Sequence, residues 1–164
     1  DSTFDISIGQ RVLNNELISS GTIPVYSANV YEPFGYMNAT ILRDFTLPSV
    51  VWGIDGDWMT NYIPENVVFN PTDHCGVIRV LSDNISAKYL SLVLFEAGKK
   101  MRFSRTLRAS RDRIRGIALV LPTKEVQFAT VETFKKLEQQ INAAQKILDS
   151  AFARKQAILD KYLQ

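Results

Sequence analysis

The sequence predicts an α+β chain in which a β-rich domain with a few short helices is followed by one long C-terminal helix that forms a coiled coil. Three observations carry that prediction. Runs rich in β-branched and aromatic residues, such as Val50-Val51-Trp52-Gly53-Ile54 and Gly76 to Leu81, end at turn-forming clusters. Between Ser86 and Ala97 the apolar positions change to helical spacing. From Glu125 to Leu163, Phe134, Leu137, Ile141, Ala144, Leu148, Ala151, Ile158 and Tyr162 fall on alternating steps of three and four. That is a heptad seam, with Lys155 at the step where another apolar residue is expected.

From Phe4 to Ile23, short apolar pairs alternate with Asn14, Asn15, Ser19, Ser20 and Gly21, so short strands joined by frequent turns are expected. Ile23-Pro24-Val25-Tyr26 reads as an edge strand, because Pro24 has no N–H to give a ladder. Ser27 to Gly35 is a polar loop carrying Asn29, Tyr31 and Pro33. The strand at Val50 stops at Asp55-Gly56-Asp57, and runs at Asn66 to Phe69 and Gly76 to Leu81 flank Pro71-Thr72-Asp73. These strands are expected to form one mixed or antiparallel sheet.

Ser86 serves as an N-cap for a helix whose Leu90, Val93, Leu94 and Ala97 share a face, with Gly98 as its stop. Gly116 to Leu121 reads as a buried strand closed by Pro122, and Thr123 caps the last helix. That helix contains no Pro or Gly and is filled with Ala, Leu, Lys, Glu and Gln, which agree with helical propensity. At about 1.5 Å per residue it would reach roughly 55 to 60 Å. A single domain offers too little apolar surface to cover such a stripe, so a partner helix is expected. The expected division is residues 1–122 and 123–164.

An apolar fraction of 46% over 164 residues supports one domain and an appendage. The single Cys75 allows no internal disulfide and no zinc cluster, which fits a reducing cytoplasm. No apolar run approaches a membrane span and no signal peptide is seen, so neither membrane insertion nor export is expected. The chain starts at Asp1 rather than Met, which suggests a fragment.

The formal charge of +2 conceals a segregation. Residues 1–98 hold four Lys/Arg against eleven Asp/Glu, net −7; residues 99–115 hold eight against one, net +7; the remainder is net +2. The basic segment interleaves Lys99, Lys100, Arg102, Arg105, Arg108, Arg111, Arg113 and Arg115 with Met101, Phe103, Ser104, Thr106 and Ser110. Arginine matches phosphates and guanine edges through its planar fork, and Ser or Thr adds short phosphate donors. A polyanion is the expected partner; the plainer alternative is a solvated face that balances the acidic first hundred residues.

Other constellations are weaker. Asp55 and Asp57 can be read as half of a metal or nuclease site, yet no further acidic set accompanies them, and an exposed turn accounts for both. His74 beside Cys75 suggests a base and a nucleophile, but neighbours in a strand face opposite ways. Trp58 reads as core in preference to a stacking surface. The glycines form no phosphate-loop or dinucleotide fingerprint, and no methyltransferase motif is present.

The order Ile8-Gly9, Gly21-Thr22-Ile23-Pro24-Val25-Tyr26-Ser27, Gly53-Ile54-Asp55-Gly56 and Phe69 to Val80 with Thr72-Asp73-His74-Cys75 resembles a target recognition domain of type I restriction-modification specificity subunits. Ile117 to Pro122 and the long helix resemble the strand, proline and helix that end each half of such subunits. The resemblance covers essentially the whole chain. It implies a non-catalytic reader of double-stranded DNA. In that family each recognition domain reads half of a bipartite target, and two long helices pair antiparallel as a spacer.

The resemblance also implies methyltransferase subunits that carry S-adenosylmethionine, and restriction subunits that use ATP and Mg, with no cofactor or metal on this chain. A full subunit has two recognition domains and two helices, whereas this chain has one of each. It is expected to be a half-subunit that homodimerises through Phe134, Leu137, Ile141, Ala144, Leu148, Ala151, Ile158 and Tyr162, or one half of a longer chain. The recognition domains of fused type II restriction-methyltransferases are also similar. Outside this class the alternative is a protein-interaction scaffold with a basic patch. Family domains read DNA through loops at one end, which directs attention to Lys99, Lys100, Arg102, Ser104, Arg105, Arg108 and Arg111, and to Ser27 and Asn29.

Overall fold

Val50, Val51 and Trp52, with Val77, Ile78 and Val80, are apolar without alternation, which is the mark of strands covered on both faces. In the computed structural model, which describes residues 3–163, they form the centre of a four-stranded antiparallel sheet. Its strands are β1 (Phe4–Ile8), β4 (Ser49–Gly53), β5 (Thr60–Ile63) and β7 (Cys75–Val80), in the order β1-β7-β4-β5. Trp52 pairs with Gly76 and Val50 with Ile78 across the β4–β7 ladder. The period of two then sends Val50, Trp52, Ile78 and Val80 into one core and Val51, Val77 and Cys75 into another.

The second core is closed by a smaller sheet of β2 (Ile23–Tyr26), β3 (Gly35–Met37) and β6 (Asn70–Pro71), ordered β3-β2-β6. The strands therefore form two sheets rather than one. β2 is central in its sheet and not an edge: it pairs antiparallel with β3, while β6 pairs parallel only from Val25 onward, past the proline. Asn66 to Phe69 is not a strand, because Asn66 takes a left-handed conformation at φ 63° and the chain becomes regular only at Asn70.

The first core lies beneath α1 (Ala87–Met101), whose Ala87, Leu90, Ser91, Leu94 and Gly98 are buried at one-turn intervals. The Ser86 hydroxyl accepts from the Tyr89 N–H as an N-cap. Gly98 does not stop this helix. A Cβ at that position would collide with the Trp58 indole, whose Nε1 donates to the Phe95 carbonyl at 2.8 Å, so the glycine permits close packing. The helix ends one turn later at Arg102, with φ 58°. Trp58 packs against the core and against the Phe103 ring, with centroids 5.0 Å apart.

A short helix that the sequence pattern did not reveal, α2 (Arg111–Arg115), begins at the Ser110 cap and buries Ile114. The expected strand after it is absent. Residues 117–123 belong to no helix or ladder, with Ile117 and Leu119 against the core and Val120 93% exposed. The apolar run is that of a buried strand, but the segment pairs with no strand of either sheet.

α3 (Lys124–Tyr162) is the long helix. The chain divides into two compact units, the first ending at Gln127 and the second starting at Phe128. Within the first unit the buried Gln127 amide holds the start of α3: its Oε1 accepts from Ser86 N–H at 2.9 Å, and its Nε2 donates to the carbonyls of Pro122 at 2.8 Å and Asn84 at 3.2 Å. In the second unit the seam residues are exposed, including Phe134, Leu137, Ile141, Ala144, Leu148, Ala151, Ile158 and Tyr162. No helix among the described residues is long and apolar enough to cross a membrane.

Candidate nucleic-acid interface

The antiparallel ladders bring the end of β1, the end of β4 and the starts of β5 and β7 to one edge of the larger sheet. Each strand there runs into a loop, so segments distant in sequence converge. The loop of residues 27–34 comes close because Gly53 lies directly against the Ala28 carbonyl, leaving no room for a Cβ. Asn61 Nδ2 donates to the Val30 carbonyl at 2.8 Å, and the Thr72 hydroxyl donates to Ser27 Oγ at 3.1 Å. The Asn29 side-chain oxygen accepts from the N–H groups of Tyr31 and Glu32, so Asn29 shapes its own turn. Ser27, Thr72, Asp73 and His74, with Arg11 and Phe34, line a cleft at this end.

The basic stretch reaches the same end. Ala109 N–H donates to the Ile54 carbonyl and the Trp52 indole N–H to the Ala109 carbonyl, both at 2.8 Å. These two bonds fasten the loop between α1 and α2 across the top of β4. Arg108 Nη2 then lies 3.3 Å from Asp55 Oδ2, and both Asp55 oxygens lie 3.0 Å from His74 Nδ1. Asp55 is thus committed to two side-chain partners, while Asp57 is exposed. Among the described residues no three His, Cys, Asp or Glu side chains gather as a metal site. Cys75 is buried, and burial pushes its thiol above the usual range, which disfavours the thiolate.

The basic residues named from the sequence do not share one environment. Lys99 and Lys100 occupy the last turn of α1, with Lys99 3.0 Å from Glu96 Oε1. Arg102 caps that helix. The Ser104 hydroxyl accepts from Leu107 N–H and lies 3.1 Å from Thr106 Oγ1, so Ser104 folds the loop on itself. Arg105 makes no ion pair among the described residues, and Arg111 in α2 lies 3.9 Å from Asp112. Sequence reading took Asp55 as an exposed turn carboxylate in preference to a metal ligand and set aside a catalytic His74, without connecting either to the basic loop. The signal that they support the basic loop is tertiary, since 53 positions separate Asp55 from Arg108.

A family model described as type I restriction modification DNA specificity domain matches residues 2–150. The chain belongs to that family. No curated protein sequence matches the specificity domain significantly. Three solved structures share its fold. The S subunit of a type I restriction-modification system from M. genitalium is 14% identical with a TM-score of 0.66, covering 97% of this chain and 43% of that one. The HsdS subunit from Thermoanaerobacter tengcongensis is 15% identical with a TM-score of 0.65, covering 88% and 37%. A chain from a structural study of complex assembly and conformational transition of the type I R-M system is 19% identical with a TM-score of 0.69, covering 97% and 43%. The specificity domain therefore spans about two fifths of the solved chains it matches.

Proposed function

We propose that this chain is a non-catalytic DNA reader that recognises one half of a bipartite duplex target and directs methyltransferase and restriction subunits to it. The observation that carries this reading is the convergence, at one end of the larger sheet, of the loop at Ser27 and Asn29 with a stretch of net charge +7. Exposed cations engage phosphates and set affinity; side chains in the adjoining loops meet base edges and set sequence preference. S-adenosylmethionine, ATP and Mg belong to the partner subunits, which work in the cytoplasm.

The second unit supplies the spacing. Its exposed seam, repeating with a heptad period, supports pairing with a second long helix, either of another copy or of the second half of a longer chain. A rigid helix pair of fixed length sets the distance between two reading ends.

Titration of duplex DNA with the full chain at several salt concentrations tests the DNA reading. Each neutralised phosphate contributes a slope of about −0.9 in log K against log salt, so Lys100, Arg102 and Arg105 together give about −2.7. Binding with no salt dependence would overturn the proposal and leave a protein-interaction scaffold as the better account of the basic patch.

A further inference from the structure

The basic stretch contains one arginine whose surroundings do not suit a phosphate. Arg108 is fixed on several sides: Nη2 to Asp55 Oδ2 at 3.3 Å, its own carbonyl accepting from Arg113 Nη1 at 2.6 Å, and the next residue bonded to both Ile54 and Trp52. Asp55 is held in turn by His74, and Asp73 Oδ1 lies 3.9 Å from His74 Nε2. The Asp55 carboxylate cancels the Arg108 charge, and Asp73 adds a further carboxylate beside His74. A phosphate brought to Arg108 would meet the Asp55 carboxylate at close range, and the repulsion opposes the attraction.

A base edge carries no net charge and meets no such penalty. The Asp55 pair engages one amino nitrogen of the guanidinium and leaves other N–H donors for guanine O6 and N7. The Arg108 side chain is 53% exposed, so it is restrained without being covered. A side chain ordered before binding also loses less entropy on contact. By contrast, Lys100, Arg102 and Arg105 make no ion pair among the described residues and suit phosphates.

We propose that Arg108 reads a guanine edge in the target, with Asp55 as the positioning residue that holds its guanidinium, while the free cations of the stretch bind the backbone. This rests on the DNA-reading function proposed above.

The test is selection of duplexes from a randomised pool by the full chain, followed by affinities for the selected and a scrambled duplex across a salt series. R108A and R108K are expected to lower the ratio of selected to scrambled affinity about 5- to 150-fold, with the loss confined to one G·C pair. R108K keeps the charge and lacks the fork, so it remains informative should R108A fold poorly. R105A is expected to weaken both duplexes alike and to reduce the salt slope by about one. D55N should lose discrimination at the same base pair as R108A, and D55E should recover part of it. Equal weakening of both duplexes by R108A with a slope change of about one would make Arg108 a phosphate contact and overturn the proposal. Unaltered discrimination in R108K or D55N would overturn the reading and positioning roles respectively. If the wild-type chain selects no sequence and binds without salt dependence, the DNA-reading function fails first, and this assignment with it.

Discussion

The two units of this chain treat their apolar residues in opposite ways. In the first, the sheets, α1 and the loops after it enclose two cores, and Trp52, Phe69, Leu90 and Leu94 are each less than 2% exposed. In the second, Ile141, Ile147, Phe152 and Tyr162 are each more than 60% exposed along a helix that has no other element to cover them. The first unit satisfies its own hydrophobic demand. The second has the composition of a folded element and the surface of an incomplete one, which is why its function is read as pairing. Substitutions should therefore act on folding in one unit and on association in the other.

Truncating the core should have the largest effect. Trp52→Ala removes an indole that fills the first core and also breaks the hydrogen bond to the Ala109 carbonyl. It should cost about 3 to 5 kcal/mol, enough to unfold a marginal domain. Chemical denaturation of the first unit measures it, and a loss below about 1 kcal/mol would contradict the packing described. The matched change in the second unit, Phe152→Ala, should leave the stability of the isolated chain within about 0.5 kcal/mol.

Next in size is the effect on association. Leu148→Glu places a charge in the proposed seam, where a paired helix would bury it. Sedimentation of a wild-type dimer should give way to a monomer of unchanged unfolding midpoint in the first unit. A dimer of unaltered mass would show that the seam is not the pairing surface.

These contrasts also explain what the sequence made legible. A helix is specified by residues near one another, so the Pro- and Gly-free run from Glu125 to Leu163, after the Thr123 cap, located α3 almost to its ends. Strands are specified by partners. Val50 to Ile54 and Gly76 to Leu81 were evident because both faces are apolar, whereas β5, Thr-Asn-Tyr-Ile, is too short and polar to stand out. Ile117 to Leu121 carries the apolar run of a strand without joining a ladder, and no local signal distinguishes the two cases. The same holds at the reading end. The run of cations was visible in the sequence, but the ion pairs that distinguish Arg108 from Arg105 join residues brought together only by folding.

An intermediate effect is expected where the first unit grips the start of α3. Gln127→Leu keeps the volume but strands Ser86 N–H and removes the donor to two carbonyls. The cost should be about 1 to 3 kcal/mol, because a buried donor left unpaired loses its solvation without return. Equilibrium unfolding checks it, and Gln127→Glu separates the roles, since a carboxylate can still accept from Ser86 N–H but cannot donate to Asn84 or Pro122.

The smallest effect concerns pH at the first turn of α3. Hydrogen bonds from its own backbone N–H and from the Thr123 hydroxyl hold the Glu125 carboxyl below the usual carboxylate range. A folded-state value lower than the unfolded one stabilises the fold above the unfolded pKa, and that contribution disappears as pH falls through the folded value. Glu125→Gln should therefore reduce stability slightly at neutral pH and not at all once the pH is below both values. Because the carboxylate is fully exposed, solvent screening keeps the difference small. The clearer readout is the titration of Glu125 by NMR in Thr123→Val, where the midpoint should move upward toward that of a free glutamate. A midpoint unaffected by losing the Thr123 hydroxyl would assign the shift to the backbone N–H and the neighbouring Lys124 charge.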